Sequence, residues 1–168
     1  TEDFMAPSRD NILVSCDNGL INGKKIAVPD AKIATHVIVV AKTNSGISLR
    51  LVDTSSSGVT IKHQKNIDES RGHFQIDFDN VEGSLIGDEI SGWEQYESII
   101  NQAAVLFSYE QIGGAQASLD MAIDYAKERY AFGRPIGSFQ AIKHKLADMY
   151  VSLTLAKSNC YYAAWALS

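Results

Sequence analysis

Tyr125-Ala126-Lys127-Glu128-Arg129-Tyr130-Ala131-Phe132-Gly133-Arg134-Pro135-Ile136-Gly137-Ser138-Phe139-Gln140 is the stretch on which the architecture turns. Ahead of it, from Gly92 to Arg134, there is no proline. Apolar residues there recur three and four apart, at Ile99, Ala103, Leu106, Ile112, Ala115, Leu119, Ala122 and Ile123. That spacing predicts a long helix with one buried face. From Trp93 to Tyr130 it would run about 38 residues, roughly 57 Å at 1.5 Å per residue. Phe132-Gly133-Arg134-Pro135 must break it, because glycine is a poor helix former and proline brings no N–H. Ser138 is the expected N-cap of a second helix starting at Phe139, with Leu146, Met149, Leu153 and Ala156 on its apolar face. A helix this long needs others to lie against, and Gly113-Gly114-Ala115 is expected to permit a close crossing. The second helix runs into Cys160-Tyr161-Tyr162-Ala163-Ala164-Trp165-Ala166-Leu167 with no stop signal. The expectation is a segment of a longer chain.

Before Leu85 the period changes. Asn11 to Cys16 reads as a strand, and Asp17-Asn18-Gly19 as a hairpin turn in which Gly19 supplies positive φ. Leu20 to Asn22 and Ile26 to Val28 are further extended pieces, stopped at Pro29-Asp30. His36 to Ala41 is a continuous β-branched run, the pattern of a strand covered on both faces. Ile47 to Val52 alternates strictly, predicting one buried face, and so do Val59-Thr60-Ile61 and Phe74 to Phe78. About six or seven short strands point to a small antiparallel sandwich or barrel. The fold class is therefore α+β: a β-sandwich or barrel domain over residues 1–85, then long antiparallel helices over 86–168.

Composition sets the outer limits. The chain has 168 residues, 45% hydrophobic and 21% charged, with a formal net charge of −5. This is globular composition, not that of a disordered chain. The mild acidity gives no electrostatic footprint for nucleic acid. The longest apolar runs, such as Val37 to Ala41, are too short to cross a bilayer, and the opening residues carry no secretory leader pattern. The two cysteines, Cys16 and Cys160, share no spacing with a metal motif, so no metal ligands are assigned. Free thiols in a reducing compartment are expected. His144, between two lysines, is expected at the surface. Glu110 is the one carboxylate in an apolar region, so either it borders a cleft or it faces water.

The stretch 125–149 resembles the acyl-CoA dehydrogenase family, in which a segment of the form R-x-x-F-G-x-P-I-x-x-F-Q joins the first two helices of the C-terminal helical domain. Three earlier segments agree with that family, in family order: Leu20 to Ala31, Gly46 to Asp53 and Gly113 to Ala122. The resemblance implies a middle β-domain followed by the first half of the C-terminal domain, part of a four-helix bundle. It implies FAD as cofactor, with Arg129, Phe132 and Gln140 reaching the FAD of a neighbouring subunit. A guanidinium presents a rigid donor fork suited to a pyrophosphate, and a carboxamide both donates and accepts. Thr1-Glu2 matches the family's entry to the middle domain, where the threonine touches the flavin ring, so Thr1 joins the implied cofactor contacts. The chain departs from the pattern at Ala27, Val28 and Pro29, where many members carry an aromatic ring and a threonine against the flavin.

In that family a carboxylate removes the α-proton of an acyl-CoA thioester while flavin N5 takes hydride from the β-carbon. Most members keep the base in the later half of the bundle, and a minority carry it where Ala103 stands here. The arginine that many members have next is Ala104. No catalytic residue is therefore assigned. The resemblance implies an acyl-CoA substrate, electron-transfer flavoprotein as acceptor, and a homo-oligomer. It implies a cytoplasmic location in bacteria or the mitochondrial matrix in eukaryotes, with neither a nucleic acid nor a membrane as partner. Two alternatives are a non-catalytic partner subunit of a heteromeric dehydrogenase and a flavin monooxygenase of the same fold.

Overall fold

A computed structural model describes residues 1–2, 7–68 and 70–168. They fall into two compact units, Thr1–Ser98 and Ile99–Ser168. The class is α+β, as the change of period implies.

The first unit is a seven-stranded sheet of β1 (Ser15–Asp17), β2 (Leu20–Pro29), β3 (His36–Lys42), β4 (Ile47–Asp53), β5 (Val59–Gln64), β6 (His73–Glu82) and β7 (Ser84–Ile86). Its order is β5-β6-β2-β1-β3-β4-β7. Neighbours pair antiparallel, except β1 and β3, which meet in parallel at Ser15 and Lys42. Val14, Cys16, Ile21, Val39, Val52 and Ile76 belong to a single core, so strands from both ends of the order curl around one interior. β1 and β2 join through Asn18 and Gly19, both at positive φ (52° and 83°). Two such residues make the tight turn whose twist suits a hairpin.

Three local readings are corrected. The strand expected from Asn11 begins only at Ser15, because the N–H groups of Leu13 and Val14 donate to the Glu2 carboxylate instead of a neighbouring strand. β3 is covered on one face only: Val39 and Ala41 are buried, while Ile38 is 55% exposed. β4 is buried at four consecutive residues, 47–50, and not at alternate ones. Its outward face is capped by the segment leading into the first helix. There the Arg50 guanidinium donates to Ser48 Oγ at 3.1 Å and to both Glu89 carboxylate oxygens at 2.5 Å. Gly92 packs so closely on β4 that a Cβ there would lie 2.6 Å from the Ile47 carbonyl oxygen.

The helices are α1 (Gly92–Glu128) and α2 (Gln140–Ala166). Within the second unit they run antiparallel. The Tyr109 and Tyr161 rings meet edge to face at 5.7 Å, and Lys157 Nζ donates to Gln116 Oε1 at 2.5 Å. The buried stripe expected on α1 narrows to Leu119 and Ala126, and Leu106 is 72% exposed. On α2, Leu153 and Cys160 are buried. One neighbouring helix covers one seam of a helix, and the rest of an apolar stripe stays open. The crossing expected at Gly113 and Gly114 is absent, since nothing among the described residues approaches either position within 4 Å. Ser138 does not cap α2. Its hydroxyl donates back to the Pro135 carbonyl at 2.7 Å, inside a 3-10 turn over Ile136–Ser138, and Phe139 takes the N-cap position.

Candidate functional site

In the sheet unit, Thr1 runs beside the bulged end of β2. Its carbonyl accepts from Ile26 N–H at 2.7 Å, and its amino group donates to the Ile26 carbonyl at 3.4 Å. The next residue is buried. The Glu2 carboxylate, 3% exposed, accepts from the Leu13 and Val14 N–H groups and from Lys25 Nζ, itself 12% exposed. Burial pushes the Lys25 amine below its ordinary range, and Glu2 partly opposes that shift. A charge this deep must be paired, so the two are fixed together.

β2 is irregular where it passes Thr1. Its pairing with β6 slips between Lys25 and Val28, and Ala27 adopts φ 52° with its N–H donated to Gln64 Oε1 at 2.8 Å. Positive φ is uncommon for a residue with a side chain. Beside this bulge lies a cavity of about 270 Å³, lined by Thr1, Ala27, Val28, Ile38, Val40 and Tyr96 among others. Its walls are mostly apolar. The open face of β3 thus supplies part of a pocket. Burial raises the Tyr96 phenol above its ordinary range.

In the helical unit the quoted stretch forms a small, closely specified hairpin. Arg129 ends α1: its N–H donates to the Tyr125 carbonyl at 2.8 Å, and its carbonyl accepts from Ile136 N–H at 2.7 Å. β8 (Tyr130–Ala131) and β9 (Arg134–Pro135) pair antiparallel across a two-residue loop. The loop residues, Phe132 and Gly133, lie at φ 53° and 79°. Glycine takes that geometry freely; phenylalanine does not. The Phe132 ring is nevertheless 95% exposed. It meets the Phe139 ring edge on at 6.2 Å, and the Arg134 guanidinium lies over that same ring at 4.1 Å. Gln140 follows as the first residue of α2.

Arg129, Phe132 and Gln140 therefore stand at the start, tip and end of one connection, all exposed. Thr1 belongs to the sheet unit. Sequence reading missed two features here. The Glu2–Lys25 pair left one signal, a basic residue inside an extended segment. The Arg134–Phe139 stack left none, because a spacing of five matches no regular period. Of the other candidates, Ala104, Glu110 and His144 are exposed and Ala103 is half-buried. Among the described residues no group of three His, Cys, Asp or Glu is placed to hold a metal. Among them, too, no helix is long and apolar enough to cross a membrane.

The 3-10 turn sets how close the hairpin sits to α1. A Cβ on Gly137 would lie 2.9 Å from the Ala126 carbonyl oxygen, a backbone atom that cannot swing away. Gly137→Ala should therefore destabilise the helical unit by about 1–3 kcal/mol, the usual cost of overpacking. A urea melt followed by helical circular dichroism measures it, and an unchanged midpoint would contradict the close approach.

The comparisons with known proteins agree with one another. Residues 91–168 match the model of the acyl-CoA dehydrogenase C-terminal domain. The probable acyl-CoA dehydrogenase YngJ of Bacillus subtilis is 36% identical over 160 residues, 89% of this chain and 42% of the relative. The caffeyl-CoA reductase–Etf complex subunit CarC of Acetobacterium woodii is 32% identical over 158 residues, 88% of this chain and 42% of the relative. A solved structure described as PigA with FAD and proline superposes with a TM-score of 0.86 at 28% identity, over 92% of this chain and 44% of that one. The chain spans about two-fifths of the length of these curated relatives. In the order of its strands and helices and in the sequence of both units, the chain belongs to the acyl-CoA dehydrogenase family.

Proposed function

We propose that this chain is the middle β-domain (residues 1–85) and the first helices of the C-terminal domain (86–168) of an FAD-dependent acyl-CoA dehydrogenase. The observation that carries the reading is the strained, exposed Phe132 tip held between Arg129 and Gln140. Such strain persists where the surroundings over-determine it, and it gathers at ligand sites. The residues suit FAD chemically. Arg129 offers a planar donor fork to phosphate oxygens, and Gln140 offers both donor and acceptor to a heterocycle's edge. In the sheet unit, Val28, Ile38 and Val40 give an apolar wall suited to a flat ring, with Thr1 supplying a hydroxyl. Bound FAD would accept the hydride from the substrate's β-carbon. Further support comes from the solved relative with FAD and from the relative named as part of an Etf complex. On this reading the substrate is an acyl-CoA, the electron acceptor is an electron-transfer flavoprotein, and the assembly is a homo-oligomer. Its place is the bacterial cytoplasm or the mitochondrial matrix.

A second reading, a non-catalytic partner subunit, is favoured by one observation. Ala27 stands where many members present a ring to the flavin, and its N–H is already taken by Gln64. The one family position for the base that falls among these residues is Ala103, which is not a carboxylate. The 168-residue chain should therefore show no acyl-CoA turnover above a heat-denatured control, assayed with FAD and an artificial electron acceptor. Titrating FAD into the chain and following flavin fluorescence tests the cofactor reading. Saturable quenching is expected, and a linear response would remove it.

A further inference from the structure

The hairpin carries more strain than its own bonds explain. Two residue pairs make a ladder too short to be stable alone, and one of the four residues, Pro135, has no N–H to give. Phe132 gains little from burial, being almost wholly exposed, yet it holds positive φ. Its ring meets that of Phe139, which also serves as the N-cap of α2. Phe139 in turn lies under the Arg134 guanidinium. One cation thus touches the ring that steadies the loop tip and that directly precedes Gln140.

We propose that Arg134 is a positioning residue. It acts through Phe139, setting Phe132 and the start of α2 in one arrangement, and it makes no contact of its own with the ligand. The inference rests on the flavin reading for its consequence, but not for its geometry. The guanidinium is suited to the task because it is flat and weakly hydrated, so it stacks on a ring where an ammonium cannot lie face to face. The attraction of a cation to an exposed ring is modest. It matters here because, beside the two-pair ladder, the hairpin is tied by few bonds: the Ser138 hydroxyl to the Pro135 carbonyl at 2.7 Å, the Ile136 N–H to the Arg129 carbonyl at 2.7 Å, and the Phe139 N–H to the Ile136 carbonyl at 3.1 Å. Arg129 differs in kind, since it stands before the loop and is exposed.

The test compares wild type with Arg134→Ala, Arg134→Gln and Arg134→Lys in the whole chain. Two readouts are taken: amide exchange at Ile136 and Phe139, and FAD affinity by fluorescence titration. Alanine and glutamine should speed exchange at both amides about two- to fivefold, leaving the Leu119 and Leu153 amides unchanged as a control on folding. FAD affinity should fall by the same factor. Lysine, which keeps the charge and loses the plane, should resemble glutamine in both. Exchange unchanged in the alanine variant would overturn the proposal. So would a lysine variant with full FAD affinity and exchange as fast as in the glutamine variant, because the charge would then act on the ligand and not through the ring. If wild type binds no FAD, the flavin reading falls, and the exchange experiment still decides whether Arg134 positions the hairpin.

Discussion

Glu2→Ala should cost the sheet unit about 3–5 kcal/mol, the range measured when one partner of a buried ion pair is removed. Three groups lose their acceptor at once: the Leu13 N–H, the Val14 N–H and the Lys25 ammonium, all converging on a carboxylate only 3% exposed. Two unsatisfied amides and a buried unpaired cation together exceed what any surface substitution could do. Urea unfolding of wild type, Glu2→Gln and Glu2→Ala gives the comparison. Glutamine should fall between the others, since it keeps an acceptor and loses the charge. Adding Lys25→Met to the alanine variant should restore part of the loss. A loss below about 1 kcal/mol for Glu2→Ala would show that the pair does not hold the chain's opening to β2.

Lys25 also gives that region a pH dependence of defined sign. Its folded pKa lies below its unfolded value because burial disfavours the ammonium. Between the two values the unfolded chain binds more protons, so stability rises with pH through that window. The window closes near pH 10.4, the ordinary lysine value. Glu2 works against the shift, and its removal should extend the window to lower pH. The difference between the stability–pH curves of wild type and Lys25→Met isolates the effect.

Much of this architecture is legible in the chain because its periods are strong. The alternation in Phe74 to Phe78 survives intact in β6, and the Asn18-Gly19 turn forms where its dipeptide says. The first helix begins and ends within two residues of the expected positions, and the second begins one residue from its expected start. What sequence could not give is which faces are covered. Ile38 and Leu106 look like core residues by type and spacing, yet both are exposed, because burial depends on a neighbour that periodicity does not specify. The converse holds at Arg50, a charged residue in a clean alternation, buried because Glu89 comes from 39 residues away to meet it. For the site, Arg129, Phe132 and Gln140 stand out through family resemblance. The positive φ of Phe132 and the hand of Arg134 on Phe139 are properties of three dimensions.

Arg129→Ala should weaken FAD retention roughly ten- to hundredfold, and by more than Arg134→Ala does. A charge-assisted hydrogen bond to an anion is worth about 1.5–3 kcal/mol, and each 1.4 kcal/mol is about a factor of ten in affinity. Arg129 closes α1 with both of its backbone groups committed, so its guanidinium starts from a fixed point. Arg134 rests on a ring and is expected to act at one remove, with an effect of about two- to fivefold. The order of the two variants therefore separates contact from positioning. Flavin release on dilution, followed by fluorescence for wild type and each variant, measures it directly. Raising the salt concentration should weaken wild-type retention more than that of Arg129→Ala, because the variant has already lost the ionic part of the contact. Equal retention in all three proteins would mean that the hairpin serves only to join two helices, and the cofactor reading would fall with it.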